Sequence, residues 1–160
     1  MQHLTDLMTN ACLLVPLAAW LISQLLKIII NALVHKEFRI ERLWGDGGMP
    51  SGHSATVAAL ATMCGFSYGF GSPSFAIAFV LATIVMNDAV GVRREAGKQA
   101  VTLKQLAKLV NDAIVDPDEK IRTEKLKELV GHTPLQMVLG ALLGIFVSLC
   151  YFWIWGFPVL

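Results

Sequence analysis

Four stretches of this chain are apolar for long enough to cross a lipid bilayer, and that constrains its fold more than any other feature. A spanning helix needs about 20 predominantly apolar residues, because the hydrocarbon core is about 30 Å thick and a helix rises about 1.5 Å per residue. The stretches cover about 11–34, 53–70, 74–91 and 134–155. Gln24 and Lys27 interrupt the first. Only Gly71, Ser72 and Pro73 separate the second from the third, which predicts a tight helical hairpin. Composition agrees: 16% of the residues are charged, 55% are hydrophobic and the mean hydropathy is +0.60. A soluble domain carries roughly 25% charged residues. This content excludes a disordered chain, and a net charge of +1 excludes nucleic-acid binding through bulk positive charge. Cys12, Cys64 and Cys150 lie in apolar stretches without regular spacing. They read as small buried thiols, not as a disulfide framework or a metal site. Nothing implies a cofactor. The first stretch does not read as a cleavable signal peptide, since no Lys or Arg precedes it and its apolar run is too long. The expected fold is an all-α integral membrane protein, one membrane domain over 1–160, built as a bundle of about four transmembrane helices.

The basic residues set an expected orientation. Lys36, Arg39 and Arg42 lie between the first two stretches; Arg93, Arg94, Lys98, Lys104, Lys108, Lys120, Arg122, Lys125 and Lys127 lie between the last two. Four crossings place both basic loops on one side, and the positive-inside rule makes that side the cytoplasm, with both termini outside. Trp153 and Trp155 suit an outer aromatic belt and Trp44 an inner one. The segment 92–131 predicts a cytoplasmic amphipathic helical hairpin. Leu103, Leu106, Val110 and Ile114 recur at helical spacing, and Asp116-Pro117-Asp118-Glu119 starts a second helix that Gly131 ends. The hairpin either lies on the inner leaflet, covers the mouth of the bundle, or simply packs on it in solvent. Gly65–Gly69 and Gly140–Gly144 are GxxxG pairs that permit close helix packing, within the chain or between copies in a homo-oligomer.

Two histidines stand in matching places. His53 follows Gly47-Gly48-Met49-Pro50-Ser51-Gly52, and His132 lies in Gly131-His132-Thr133-Pro134-Leu135-Gln136. Each marks the start of a spanning helix on the same expected face. A helix start offers free N–H donors and a positive dipole end to an anion, and Ser51 and Thr133 are natural caps. Histidine serves as nucleophile, acid or base near neutral pH. Arg39, Arg42, Arg93 and Arg94 are near in sequence and suit phosphate oxygens. Together these residues point to a phosphorylated amphiphile as ligand. Each also has a plainer explanation: a turn and a cap for Pro-Ser-Gly-His, a capping box for Thr133 and Gln136, positive-inside residues for the arginines. Lys27 and Asp88 are ionisable groups within or at the end of a span, where charge is expensive. They either line a polar site in the bundle interior with Gln24, or form a snorkelling lysine and a structural ion pair.

At these motifs the chain resembles the type 2 phosphatidic acid phosphatase superfamily, which includes the vanadium haloperoxidases. Met49-Pro50-Ser51-Gly52-His53-Ser54 is similar to its Pro-Ser-Gly-His block, and His132-Thr133-Pro134-Leu135-Gln136 to its last block. With Asp88-Ala89-Val90-Gly91-Val92-Arg93-Arg94 between them, the chain most resembles the small, divergent bacterial membrane branch. The resemblance implies a metal-independent phosphomonoesterase in the bacterial inner membrane acting on a polyprenyl or glycerolipid phosphate. His132 is then the nucleophile and His53 the acid and base. Ser51, Gly52, Arg93, Arg94, Lys27 and Arg39 are then the phosphate-binding candidates. The chain also departs from the pattern. Gln136 replaces the acid that orients the nucleophile, Lys125-Leu126 stands where the family has Ser-Arg, and Arg42 is followed by Leu43 where the family has Arg-Pro. Two functions follow: a lipid-phosphate phosphatase with Gln136 in the orienting role, or a membrane protein that binds anionic headgroups without turnover, as a carrier or assembly factor. A transporter built on Lys27 and Asp88 lacks a visible repeat.

Overall fold

The computed structural model describes residues 2–35, 48–113 and 133–156, with the side chains of 34, 35, 93 and 113 excepted. Among the described residues the chain forms six helices: α1 (Gln2–Thr9), α2 (Ala11–His35), α3 (Gly52–Tyr68), α4 (Pro73–Val90), α5 (Val92–Ala113) and α6 (Pro134–Trp155). Among the described residues, three runs are long and apolar enough to cross a membrane: Ala11–Leu33, Pro73–Asp112 and Pro134–Trp155. The expected second crossing is α3. Its 17 residues give a rod of about 25 Å, somewhat under the hydrocarbon thickness. The short amphipathic α1 was not foreseen. The expected second helix of the 92–131 hairpin lies outside the described residues.

α3 is the centre of the bundle, packed against α2, α4 and α6. Its composition explains this position. Ser54, Ala55, Ala58, Ala59, Ala61 and Gly65 leave little bulk on any side, so three helices can approach one axis. Against α6 the match is residue for residue. Gly140, Gly144, Ser148 and Phe152 recur every four residues on α6 and are all buried. They meet Ser51, Ala55, Ala59 and Met63, which recur every four on α3. Both series run in the same sense, so α3 and α6 are parallel and begin at the same end of the bundle. A Cβ built on Gly140 would strike the Ser51 carbonyl oxygen, and one on Gly144 the Ala55 carbonyl oxygen. One turn further on, the Ser148 hydroxyl donates to the Ala59 carbonyl at 3.3 Å and to its own Gly144 carbonyl at 3.0 Å.

α2 and α4 run the other way. Val15 packs with Met63, whereas Ser23, further along α2, sits at Gly52, the start of α3. Ser72 caps α4 and Pro73 occupies its first turn, where a missing N–H is harmless. Ala78 then packs on Ala61 and Cys64. The other GxxxG pair does not join helices: Gly65 accommodates the Phe70 ring, and Gly69 ends α3 with φ 85°. α5 follows α4 after Gly91. Its Gly97, Ala100 and Ala107 are buried, its Leu103, Leu106 and Leu109 are exposed, and Lys98 pairs with Glu95 at 2.6 Å.

Gly144→Leu is expected to disrupt the α3–α6 contact, at a cost of at least the ~1–3 kcal/mol typical of overpacking. Gly71→Ala, where a Cβ meets nothing within 4 Å, is expected to be neutral. Thermal melts of the two variants in detergent check this; equal melting temperatures would mean that α6 does not press on α3.

Candidate functional site

The site is built at the end where α3 and α6 begin. Ser51 caps α3: its hydroxyl accepts from the Ser54 N–H at 3.3 Å and from the Ser54 hydroxyl at 3.1 Å. Its own N–H donates to the Gln136 carbonyl of α6 at 3.0 Å. Both serines are fully buried. The turn that delivers Ser51 depends on Gly48, whose φ of 111° is a conformation that side chains resist. First-turn N–H groups of a helix lack intrahelical acceptors, so an anion at this corner finds donors and a favourable dipole.

α6 begins beside it with a complete capping box. The Thr133 hydroxyl accepts from the Gln136 N–H at 3.3 Å, and the Thr133 N–H donates to Gln136 Oε1 at 3.0 Å. The Gln136 side chain is therefore engaged in starting its own helix.

α2 supplies the third wall. Ser23, Gln24, Lys27 and Asn31 fall on one face of this otherwise apolar helix, and all four are buried. Lys27 keeps only 7% of its surface. A Cβ on Gly52 would stand 3.0 Å from Ser23 Oγ and 3.3 Å from the Trp20 ring, and one on Gly48 would stand 3.7 Å from Lys27 Cδ. The stripe therefore lies directly against the turn that leads into α3. Gln24 Oε1 is buried with no hydrogen-bond partner among the described residues. Sequence inspection singled out Gln24 and Lys27 but missed Ser23 and Asn31. Their signal was the four-residue recurrence Ser23, Lys27, Asn31 inside an apolar span.

The remaining candidates divide. His53 is exposed, on the face of α3 that looks toward α2 and α4. It lines an apolar cavity of about 420 Å³ with Leu17, Trp20, Thr56, Val57 and Val85. A separate apolar cleft of about 380 Å³ lies on the α6 side of α2, with Leu26, Ile30, Leu139 and Leu143 in its walls and Met49 and Pro50 beside it. Asp88 is half-buried near the end of α4, and Arg94 is exposed in the first turn of α5. The Arg93 side chain, Arg39 and His132 lie outside the described residues. The structure thus brings together Ser51, Gly52, Lys27 and the Gln136 backbone, with His53 one residue past Gly52. No group of three or more His, Cys, Asp or Glu able to hold a metal occurs among the described residues.

The family model described as "Divergent PAP2 family" matches residues 8–147, which takes in the α2 stripe, the α3 turn and the start of α6. The chain belongs to the divergent PAP2 family. Among curated proteins, it is 41% identical over 150 residues to an uncharacterized membrane protein, YuiD, of Bacillus subtilis (strain 168), covering 90% of this chain and 95% of that one. No solved structure matches. As a divergent PAP2 protein with three runs long enough to span, the chain is a membrane protein.

Because Gln136 acts through both its backbone and its side chain, its variants separate two roles. Gln136→Ala is expected to lose about 0.5–1.5 kcal/mol with the capping bond, whereas Gln136→Glu preserves the box and the stability. Chemical denaturation of the two variants reads this directly; equal losses would remove the capping role.

Proposed function

We propose that this divergent PAP2 protein is a lipid-phosphate phosphatase-like protein that hydrolyses a phosphomonoester at the cytoplasmic face of the bacterial inner membrane. The observation that carries the proposal is the corner where the stem of the buried Lys27 lies against Gly48, in the turn that leads to the Ser51 cap of α3, beside the parallel start of α6. A helix N-terminus favours phosphate, and Lys27 adds a cationic side chain to the same corner. In the proposed reaction a His132 nitrogen bonds to phosphorus as the P–O bond to the lipid alcohol breaks, and His53 gives its proton to the leaving oxygen. Water then attacks the phosphohistidine, His53 takes a proton from it, the N–P bond breaks, and inorganic phosphate leaves. Ser51, Gly52 and Lys27 hold the phosphoryl oxygens, with Arg39, Arg93 and Arg94 as further counter-charges and Asp88 as a polar neighbour. The substrate class is a polyprenyl or glycerolipid phosphate.

One observation favours a second reading. Gln136 Oε1 is occupied by the Thr133 N–H, so the side chain that replaces the orienting acid has its acceptor already engaged. On this reading the protein binds anionic lipid headgroups at the same corner without turnover.

Phosphate release in detergent from phosphatidic acid, phosphatidylglycerol phosphate and undecaprenyl phosphate separates the two. Vanadate-sensitive release is expected, falling to background in His132→Ala and by about 10²–10⁴-fold in His53→Ala. Saturable binding of these lipids with no release above His132→Ala would instead select the headgroup-binding reading.

The proposed topology counts α3 as the fourth crossing, with both termini outside, both basic loops cytoplasmic and α5 in a cytoplasmic hairpin. Parallel α3 and α6, with α2 and α4 opposed, support it. In a variant whose three cysteines are replaced, a cysteine at Gly71→Cys is expected to react with an impermeant maleimide from outside. A cysteine at Gln105→Cys is expected to react only after the cells are opened; labelling of both in intact cells would refute this topology.

A further inference from the structure

We infer that the cavity between α2, α3 and α4 holds the hydrocarbon chain of the lipid phosphate whose headgroup sits at the start of α3. The inference rests on the phosphatase reading and adds where the substrate's tail lies. In phosphomonoester cleavage the leaving oxygen is the lipid's own alcohol oxygen, so the chain begins at the atom that the acid protonates. If His53 is that acid, the chain must start beside its imidazole. His53 stands in the wall of a cavity that is otherwise almost wholly apolar: Leu17, Trp20, Val57 and Val85, with the Thr56 hydroxyl turned back to the Gly52 carbonyl at 2.8 Å. At about 420 Å³ it falls in the usual range for a ligand pocket. Trp20 connects the two ends of the site, since its ring lines the cavity and also lies against Gly52. A phosphate at the Ser51–Gly52 turn therefore has a continuous apolar path away from it, past His53 and down between α2 and α4. The cleft on the other side of α2 has similar size and apolar walls, yet no group able to donate or accept a proton lines it. A chain there would carry its oxygen away from His53. Each methylene that leaves water adds to the binding, so the cavity selects long-chain phosphates over water-soluble ones.

Trp20 makes the inference measurable. In a variant with Trp44→Phe, Trp153→Phe and Trp155→Phe, Trp20 is the sole tryptophan. A monoalkyl phosphate carrying bromine midway along its chain, added to the protein in detergent, is expected to quench Trp20 saturably. Half-saturation is expected at about tenfold lower mole fraction than for the matching brominated alcohol, a difference of about 1.4 kcal/mol. Val85→Phe, which fills the cavity, is expected to abolish that preference. Leu139→Phe, which fills the other cleft, is expected to preserve it. Equal quenching by phosphate and alcohol would identify surrounding amphiphile only and overturn the inference, as would loss of the preference in Leu139→Phe but not in Val85→Phe. Quenching requires no turnover. A protein that passes this test yet releases no phosphate overturns the hydrolytic reading alone, and one that releases phosphate but fails the test overturns only the placement of the chain.

Discussion

The close approach of α6 to α3 is the contact on which the site depends. Lipid tails are as apolar as leucine, so helices in a bilayer gain little from burying hydrocarbon against each other. They associate through packing and polar contacts instead. Gly140 and Gly144 remove the side chains that would hold α6 away, and the backbone carbonyls of Ser51 and Ala55 occupy that space. Ser148, one turn on, adds a hydroxyl bond to Ala59. Because the two four-residue series run in the same sense, the same contact that joins the helices also aligns their first turns. The Ser51 N–H can then reach the Gln136 carbonyl, and two helix N-termini face one small volume.

That volume is polar inside an apolar bundle, which is costly unless the groups are used. α2 has no need of Ser23, Gln24, Lys27 and Asn31 to form a spanning helix; all four weaken its preference for hydrocarbon. Ser23 and Lys27 lie against the turn into α3, which the Ser51 cap closes. The stripe brings one cation, Lys27, to the Pro-Ser-Gly-His turn, in a chain whose Arg42 is followed by Leu43 where the family has Arg-Pro.

Most of the architecture was legible beforehand for a physical reason. Apolar length sets spans, and the boundaries at Ser51, Ser72 and Thr133 are cap residues followed by Gly or Pro. The observed starts of α3, α4 and α6 consequently fall within a residue of expectation. Besides the short α1, two features were not legible. The central position of α3 depends on small residues on several sides at once, which carry no periodic signal. The GxxxG pairs look alike in sequence, but Gly69 takes a positive φ and ends its helix, whereas Gly140 and Gly144 lie within one. Only the position of the second glycine relative to the helix end separates them. The caps at Ser51 and Thr133 were foreseen, and the burial of Lys27 agrees with one of its two expected readings. The side of α3 on which His53 emerges was not foreseen, since one residue turns a side chain by about 100° around a helix.

Gln136 shows where fold and chemistry diverge. A carboxylate at that position would cap α6 at least as well as the amide, because an acid in the first turn favours the helix dipole. Stability therefore gives no reason for an amide. Electrostatics does. The Gln136 backbone is bonded to Ser51 and its side chain to the Thr133 N–H, so a negative side chain there would add a charge at the start of α6, beside the helix whose start is the proposed anion site. On the proposed function such a charge would oppose the anion. With glutamine the capping geometry is kept and no negative charge is added at the start of α6. On the proposed hydrolytic reading, glutamine avoids repelling the phosphate and gives up the charge that would stabilise an imidazolium, which slows the first chemical step.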